Sequence, residues 1–396
     1  MTFRVLLVTT MRWPSAPRLA EAFVDASCQV DAVFPRGHVL ARSRFLAKGY
    51  RYHAFAPLLS IRDAIVQTNA DLIVSLDDRA TAHLHCLWQD TRVTEPQIAE
   101  RIAHSLGRIE EYPRLSERAG FIQAARDEGI ATPRTLALPD GKQLETAIAD
   151  LGLPLVLKSD GSWGGGGVAV ARTHHAAQSA YESLSSPPSR LRSLYRTIKR
   201  RDAHFLMDVL MPRSNAVSAQ EFIPGTAATT AFACWRGKLL ASNHYDVVVA
   251  RDGRGPACVL RHIESPEMED AAARLAARFN LSGLHGLDFM RDKSGNPLLI
   301  EINPRATQTA HLAFGVRADL IASLVAAARN CPVTARLAAT QNEFVALFPQ
   351  EMTRDPSSPW LAEAFHDLPW RDSAVLSAVT PAKSLNGASS RNWLEF

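Results

Sequence analysis

Four consecutive glycines, Gly164, Gly165, Gly166 and Gly167, separate two apolar segments that read as strands, Leu155–Lys158 and Val168–Ala171. Without a Cβ at any of the four, nothing keeps the backbone away from a bound anion. The N–H groups of such a loop can converge on phosphate oxygens. Lys158, closing the first strand, adds a point charge for the same anion. The Walker pattern G-x-x-x-x-G-K-[ST] is absent, so any nucleotide site here is of another kind. Taken alone, a tight turn with a surface lysine explains the stretch equally well.

Around this loop the chain alternates strands and helices. Val5–Val8, an amphipathic helix Arg18–Asp25, strand Val30–Phe34, helix Ser60–Thr68 and strand Asp71–Ser75 predict a parallel sheet over residues 1–112. Its sites would lie at the strands' carboxyl ends, in the loops Thr9–Ser15 and Leu76–Thr81. A helix follows, with Ser116 as its cap, Phe121, Ile122 and Ala125 as its apolar stripe, and Gly129 at its C-terminal end. Helix Asp140–Leu151 leads into the glycine-loop strands. The Ser-, Pro- and Arg-rich stretch Ser183–Arg201 reads as an exposed connection. Strands Ala219–Ile223, Thr229–Trp235 and Lys238–Ser242 come next, then helix Ser265–Arg278. The pair Gly286–Arg291 and Pro297–Ile302 reads as a hairpin.

That hairpin carries the strongest chemical signal. In Glu301-Ile302-Asn303 the alternation of a strand puts both polar side chains on one face, and Asp288 on the opposing strand can sit across from them. Hard oxygen donors in a partly open cluster, completed by water and phosphate, are what Mg²⁺ accepts. Arg305, two residues on, is placed to hold an anion through two parallel hydrogen bonds. A strand end with solvated charges is the plainer account, but Glu301 follows the apolar run Leu298-Leu299-Ile300 and should not simply be exposed. Gln220-Glu221-Phe222-Ile223-Pro224-Gly225, a strand ending in a Pro-Gly turn, says little alone.

Composition removes several classes. Hydrophobic content of 46% with 21% charged residues is globular. The longest apolar runs are strand-sized, too short to span a membrane, and the N-terminus reads as a buried strand, not a signal peptide. Five scattered cysteines, none in a C-x-x-C, predict free thiols in a reducing cytoplasm and no structural zinc. A net charge of +4 without a dense basic block argues against nucleic acid.

In this order the three motifs resemble the ATP-grasp superfamily, over roughly residues 115–315, and in particular its carboxylate–amine ligases. The spacing of Asp288, Glu301 and Asn303 is similar to that of the D-alanine–D-alanine ligases. The Asn-Pro-Arg ending is similar to that of biotin carboxylases. The resemblance implies an α/β and α+β protein. A parallel-sheet pre-ATP-grasp domain (1–112) would precede an ATP-grasp domain (113–331) of two α+β subdomains. These would be a glycine-loop part near 133–218 and a metal-binding part near 219–331. No role is read for 332–396.

The resemblance also assigns roles. ATP would lie between the subdomains, its phosphates on Lys158 and Gly164–Gly167 and its adenine on Gln220 (side chain), Glu221 (carbonyl) and Ile223 (N–H). Mg²⁺, or Mn²⁺, would be held by Asp288, Glu301 and Asn303, and Arg305 would steady the activated carboxylate. Two departures stand out. The family's second phosphate lysine falls on Arg118, and a ribose-binding glutamate is replaced by Ala227. The implied reaction joins a small-molecule carboxylate to an amine through an acyl phosphate, in a protein free to form a homodimer. A nucleotide-binding regulatory module without catalysis, or an ATP-grasp kinase or carboxylase, are the alternatives. The substrate pocket would lie where the first domain meets the second, with Arg12, Trp13, Asp77, His244 and Tyr245 as candidate lining.

Overall fold

The computed structural model describes residues 2–160, 167–186, 216–253 and 255–379. Its first unit is a parallel sheet in the order β3-β2-β1-β4, formed by Phe3–Val8 (β1), Cys28–Phe34 (β2), Lys48–Arg51 (β3) and Leu72–Ser75 (β4). Helices Ala16–Asp25 (α1), Pro57–Thr68 (α2), Asp78–Thr91 (α3) and Pro96–Leu106 (α4) accompany these strands. Val5 and Leu7 face one core, Leu6 and Val8 another. A strand apolar on both faces is what a parallel sheet covered on both sides requires. Strand β3 and helices α3 and α4 lie beyond the elements expected from sequence.

Two short helices, Tyr112–Ser116 (α5) and Arg118–Asp127 (α6), lead out of this unit. Ser116 ends the first and turns its hydroxyl to the carbonyl of Pro113, so the N-cap of α6 is Glu117 and not Ser116. At the other end Gly129, at φ +75°, donates to Arg126, and Ile130 donates to Ala125. The helix therefore stops where a residue in the left-handed region releases the chain.

The next sheet is small and antiparallel, in the order β5-β8-β6-β7, from Thr135–Leu138 (β5), Leu155–Ser159 (β6), Val168–Ala171 (β7) and Val217–Glu221 (β8). Helices Lys142–Leu151 (α7) and His174–Ser185 (α8) cover it. Ser183–Ser185 belong to α8, contrary to the exposed connection expected there, and the rest of that stretch from 187 lies outside the described residues.

The largest sheet has seven strands in the order β13-β12-β9-β10-β11-β14-β15. They are Thr226–Trp235 (β9), Lys238–Ala250 (β10), Ala257–Ile263 (β11), Gly283–Arg291 (β12), Pro297–Asn303 (β13), Phe344–Leu347 (β14) and Phe365–Asp367 (β15). One face, with Ala228, Phe232, Leu287 and Phe289, packs on α6 and the helix Pro266–Arg278. The other, with Ala231, Ala233 and Leu284, shares a core with β1, α1 and the helix Leu320–Arg329. The central sheet is thereby welded to the first unit by apolar burial. Strands β14 and β15 extend its far edge from residues after 331.

Candidate active site

A cleft of about 1060 Å³ lies between the small sheet and the seven-stranded sheet, and the carboxyl end of the first sheet closes one side of it. Its lining includes Lys158, Gln220, Glu221, Ile223, Asp288, Glu301, Asn303 and Arg305, so residues dispersed over the sequence meet in one space. Single small-molecule pockets run to about 1,000 Å³, so this one has room for a large ligand or for two.

The register of the β12–β13 hairpin sets the acidic pair. Asp288 stands opposite Glu301, and Asn303 stands opposite Gly286 on the same face. Gly286 has a steric reason to be glycine, because a Cβ there would lie 2.3 Å from Cγ2 of Thr307. Burial raises the pKa of Asp288 and the neighbouring Glu301 charge raises it further, while hydrogen bonds from Asn303 and Thr229 oppose the shift. The Asn303 amide donates to Oδ2 of Asp288 at 2.9 Å.

Two cations face this pair. Lys158 is 4% exposed and its Nζ lies 3.4 Å from the carbonyl of Ile300. A register shift between Asp288 and Phe289 leaves Ile300 outside the strand pairing. Burial depresses the Lys158 pKa to about 8, with Glu301 pulling the other way. Arg118, at the start of α6, donates through Nη2 to Oε1 of Glu301 at 2.9 Å and through Nη1 to the carbonyl of Ser159. The arginine at the second lysine position therefore reaches the acidic pair directly.

Arg305 is half-buried and held on several sides. Its Nε donates to Oδ1 of Asp78 at 3.1 Å, Nη2 to Oδ1 of Asn303 at 3.0 Å, and Nη1 to the Ala306 carbonyl at 3.4 Å. The guanidinium also lies 5.9 Å from the centre of the Trp13 ring, within cation–π range. Burial works against its charge, but Asp78 together with Asp77 and Asp288 more than offsets that, and its pKa is raised.

At the hinge, Gln220 is buried and its amide donates to Oγ1 of Thr135 at 3.0 Å. The Glu221 carboxylate pairs with Arg134 at 3.5 Å. Gly225 lets β9 start beside Arg291, whose carbonyl would lie 1.8 Å from an added Cβ. Of the glycine loop, Gly164, Gly165 and Gly166 lie outside the described residues. Gly167 accepts from the Ser159 N–H at 2.9 Å, closing the base of the β6–β7 connection.

Among the candidate lining residues, Trp13 borders the cleft and the others are placed differently. Arg12 donates to the carbonyl of Arg36. Asp77 is buried as the N-cap of α3, accepting from Thr9 and Thr10 and from the Ala80 N–H. Its neighbour Asp78 is the one that reaches the cleft. Tyr245 is fully buried in a core with Leu312, Val345 and Leu347. His244 lies against Thr230 at 2.9 Å and Ser242 at 3.2 Å, away from the cleft. Asp78 and Arg79, within the loop Leu76–Thr81 expected to form a site, also line the cleft, and so do Tyr112, Thr229 and Gln308, which the sequence did not single out. For Asp78 a signal was legible, because an N-cap Asp77 starts a helix and puts the next side chain at its mouth.

Burial, with His262 adding to it, pushes His244 down to about 4, so it is neutral near pH 7. Burial likewise lowers His38 to about 3 and His83 and His285 to about 4. The unfolded chain titrates near 6.5 and so binds more protons than the folded one below that value. Stability should be fully present above about pH 6.5 and fall steadily as pH drops towards 4. Urea midpoints measured from pH 7.5 to 4.5 test this, and a flat profile between 6.5 and 5 would contradict it.

Among the described residues no group of three or more His, Cys, Asp or Glu side chains forms a metal cage. Two carboxylates and an amide are nonetheless the kind of partial donor set that suits Mg²⁺, which keeps waters and takes phosphate oxygens. No helix among the described residues is long and apolar enough to cross a membrane.

Residues 199–309 match the family model of the ATP-grasp domain. No curated protein sequence matches the chain. Solved structures with similar folds include the biotin carboxylase domain of Hydrogenobacter thermophilus 2-oxoglutarate carboxylase, a dimer complexed with MgADP, ADP and bicarbonate. It is 16% identical, with a TM-score of 0.58 over 82% of this chain and 70% of that one. Another is N5-carboxyaminoimidazole synthase from Aspergillus clavatus, complexed with ADP and 5-aminoimidazole ribonucleotide. It is 13% identical, with a TM-score of 0.61 over 84% of this chain and 78% of that one. N5-carboxyaminoimidazole synthetase from Staphylococcus aureus, 11% identical, gives a TM-score of 0.57 over 84% and 79%. A parallel-sheet unit followed by a small antiparallel sheet and a mostly antiparallel seven-stranded sheet around a shared cleft is thus the fold these structures share, and within it residues 199–309 carry the match to the ATP-grasp domain.

Proposed function

We propose that this chain is an ATP-dependent ligase that activates a carboxylate as an acyl phosphate for attack by an amine. The observation that carries the reading is the meeting of Lys158, Arg118, Asp288, Glu301, Asn303 and Arg305 in one cleft between two sheets. ATP would enter with its adenine against Gln220, Glu221 and Ile223 and its phosphates near Lys158, Arg118 and the glycine loop. Asp288, Glu301 and Asn303 would hold Mg²⁺, which when bound neutralises charge developing on the transferred phosphoryl group. In this reading residues 1–112 and 113–331 are the two functional domains, with 332–379 bracing the second.

The reaction asks little covalent chemistry of the protein. An oxygen of the substrate carboxylate attacks the γ-phosphorus and ADP leaves; the amine nitrogen then attacks the acyl carbon, and phosphate leaves as the nitrogen gives up a proton. Lys158 and Arg118 would orient the phosphates, and Arg305 would stabilise charge on the carboxylate and its acyl phosphate. Burial of Lys158 and Arg305 keeps them poorly hydrated, which strengthens their hold on an anion.

A nucleotide-binding module without catalysis competes with this reading, and the Arg118–Glu301 pair favours it, since it engages a metal carboxylate. One experiment separates them. MgATP should stabilise the protein by about 2.7 kcal/mol at a hundred times its dissociation constant, and a screen of acids and amines should release ADP and phosphate. Stabilisation without turnover supports the binding module. AMP and pyrophosphate would mean an adenylate and end the acyl-phosphate mechanism, and no shift at millimolar MgATP would end both readings.

A further inference from the structure

We infer that Asp78, contributed by the first sheet's unit, is a positioning residue that fixes Arg305 for the anion handled in the cleft. The inference rests on the proposed role of Arg305. Asp78 is the first residue of α3, directly after the buried N-cap Asp77, whose carboxylate is saturated by Thr9, Thr10 and Ala80. That cap fixes the start of the helix and therefore the place of the Asp78 side chain. Its Oδ1 accepts from Nε of Arg305 at 3.1 Å across 227 residues of sequence. The loop behind Arg305 is tied to the same unit, since the Ala306 N–H donates to the Ser75 carbonyl at 3.0 Å and the Thr81 hydroxyl to the Pro304 carbonyl at 3.2 Å.

A guanidinium has five N–H groups in a rigid fork. Asp78, Asn303 and the Ala306 carbonyl take one from each nitrogen of Arg305. Two N–H groups remain for a ligand, and the Asp78 contact at Nε sets the rotation of the whole fork. The side chain of Asp78 is 34% exposed and that of Arg305 13%, so the acid stands at the cleft's rim and the base deeper within. Without Asp78 the long arginine side chain regains its rotamers, and its remaining donors lose their common aim.

The test separates orientation from charge, because the two predict opposite signs. Deleting the negative Asp78 would by charge alone tighten binding of an anion beside Arg305; loss of orientation would weaken it. The probe is inorganic phosphate, titrated by calorimetry into protein saturated with MgADP. Asp78→Ala should weaken phosphate binding by about tenfold, the lower end of what loss of a ligand's orienting partner costs, with MgADP affinity unchanged. Asp78→Glu should restore part of it. In an Arg305→Ala background, Asp78→Ala should cause no further weakening. Equal or tighter phosphate binding by Asp78→Ala, or the same loss with Arg305 absent, overturns the inference. A crystal structure of nucleotide-free Asp78→Ala, or of Asp78→Asn should the alanine variant not fold, decides independently of any ligand. Arg305 should leave its place, and an unmoved Arg305 overturns the inference. Failure of the unmodified protein to bind phosphate with MgADP would instead sink the ligase reading, leaving the position of Arg305 to judge Asp78.

Discussion

Asp367→Ala should destabilise the protein by about 3–5 kcal/mol, the range for stripping one partner from a buried ion pair. Asp367, on the last strand of the central sheet, accepts from Nη1 of Arg18 on α1 at 2.5 Å, and its backbone carbonyl takes a second bond from the same nitrogen. Its other oxygen lies 2.9 Å from Nε2 of His311. The side chains of Arg18, Asp367 and His311 are 5%, 4% and 8% exposed. Burial lowers the Arg18 pKa and the Asp367 charge restores part of it, so removing Asp367 strands a cation away from water. The pair bridges the first and last strand-forming regions of the chain, so the loss should also free residues after 331 to early proteolysis. Arg371→Ala is the control: Arg371 pairs with Asp25 at 2.6 Å and Glu21 at 3.2 Å but is 54% exposed. That change should cost about 1 kcal/mol or less. The double change Arg18→Met with Asp367→Leu should recover much of the loss, since apolar replacement of a whole buried pair is often neutral. An Asp367→Ala protein as stable as the control variant would show that water reaches Arg18.

Sequence alone carries the motifs because they are local. Glu301 and Asn303 share a face by the period of a strand, and the glycine run needs no tertiary knowledge to be seen as a loop. What cannot be read locally is which distant segment covers a face. Tyr245 illustrates this: its register opposite Thr229, itself opposite Asp288, puts it on the acidic pair's face of the sheet. Leu312, Val345 and Leu347 nevertheless bury it, and two of those come from a segment with no legible pattern of its own. Strands β14 and β15 are four and three residues long, too short for alternation to declare itself against neighbouring turns. Asp77 was a candidate for the cleft because it lies in the loop after a strand's carboxyl end, but its cap duty consumes it and leaves Asp78 to reach the cleft. The Arg305–Asp78 contact joins a loop of one unit to a helix start of another, a pairing that only the packed fold brings about.

Glu301→Gln should leave a folded protein that binds nucleotide yet turns over at least about a hundredfold more slowly, the scale for losing one preorganised electrostatic contact. The change keeps size and shape and removes one negative charge. Two effects on folding oppose each other. The Arg118 pair, 2.9 Å long with Glu301 29% exposed, is lost. At the same time Asp288 sheds a neighbour whose charge disfavours its own ionisation. A partly solvated pair contributes about 0–1 kcal/mol, so the net cost in stability should stay within about that range. Nucleotide binding should persist, because Gln220, Glu221, Ile223 and Lys158 are untouched, but its dependence on magnesium should weaken as a hard oxygen donor of full charge is gone. A glutamate that merely finished a strand would give the reverse pattern, a lower melting temperature with unchanged turnover per folded molecule. Melting temperature and ADP formation measured on one preparation distinguish the two. Normal turnover by Glu301→Gln would take Glu301 out of the metal site and leave Asp288 and Asn303 too few to hold an ion between the phosphates.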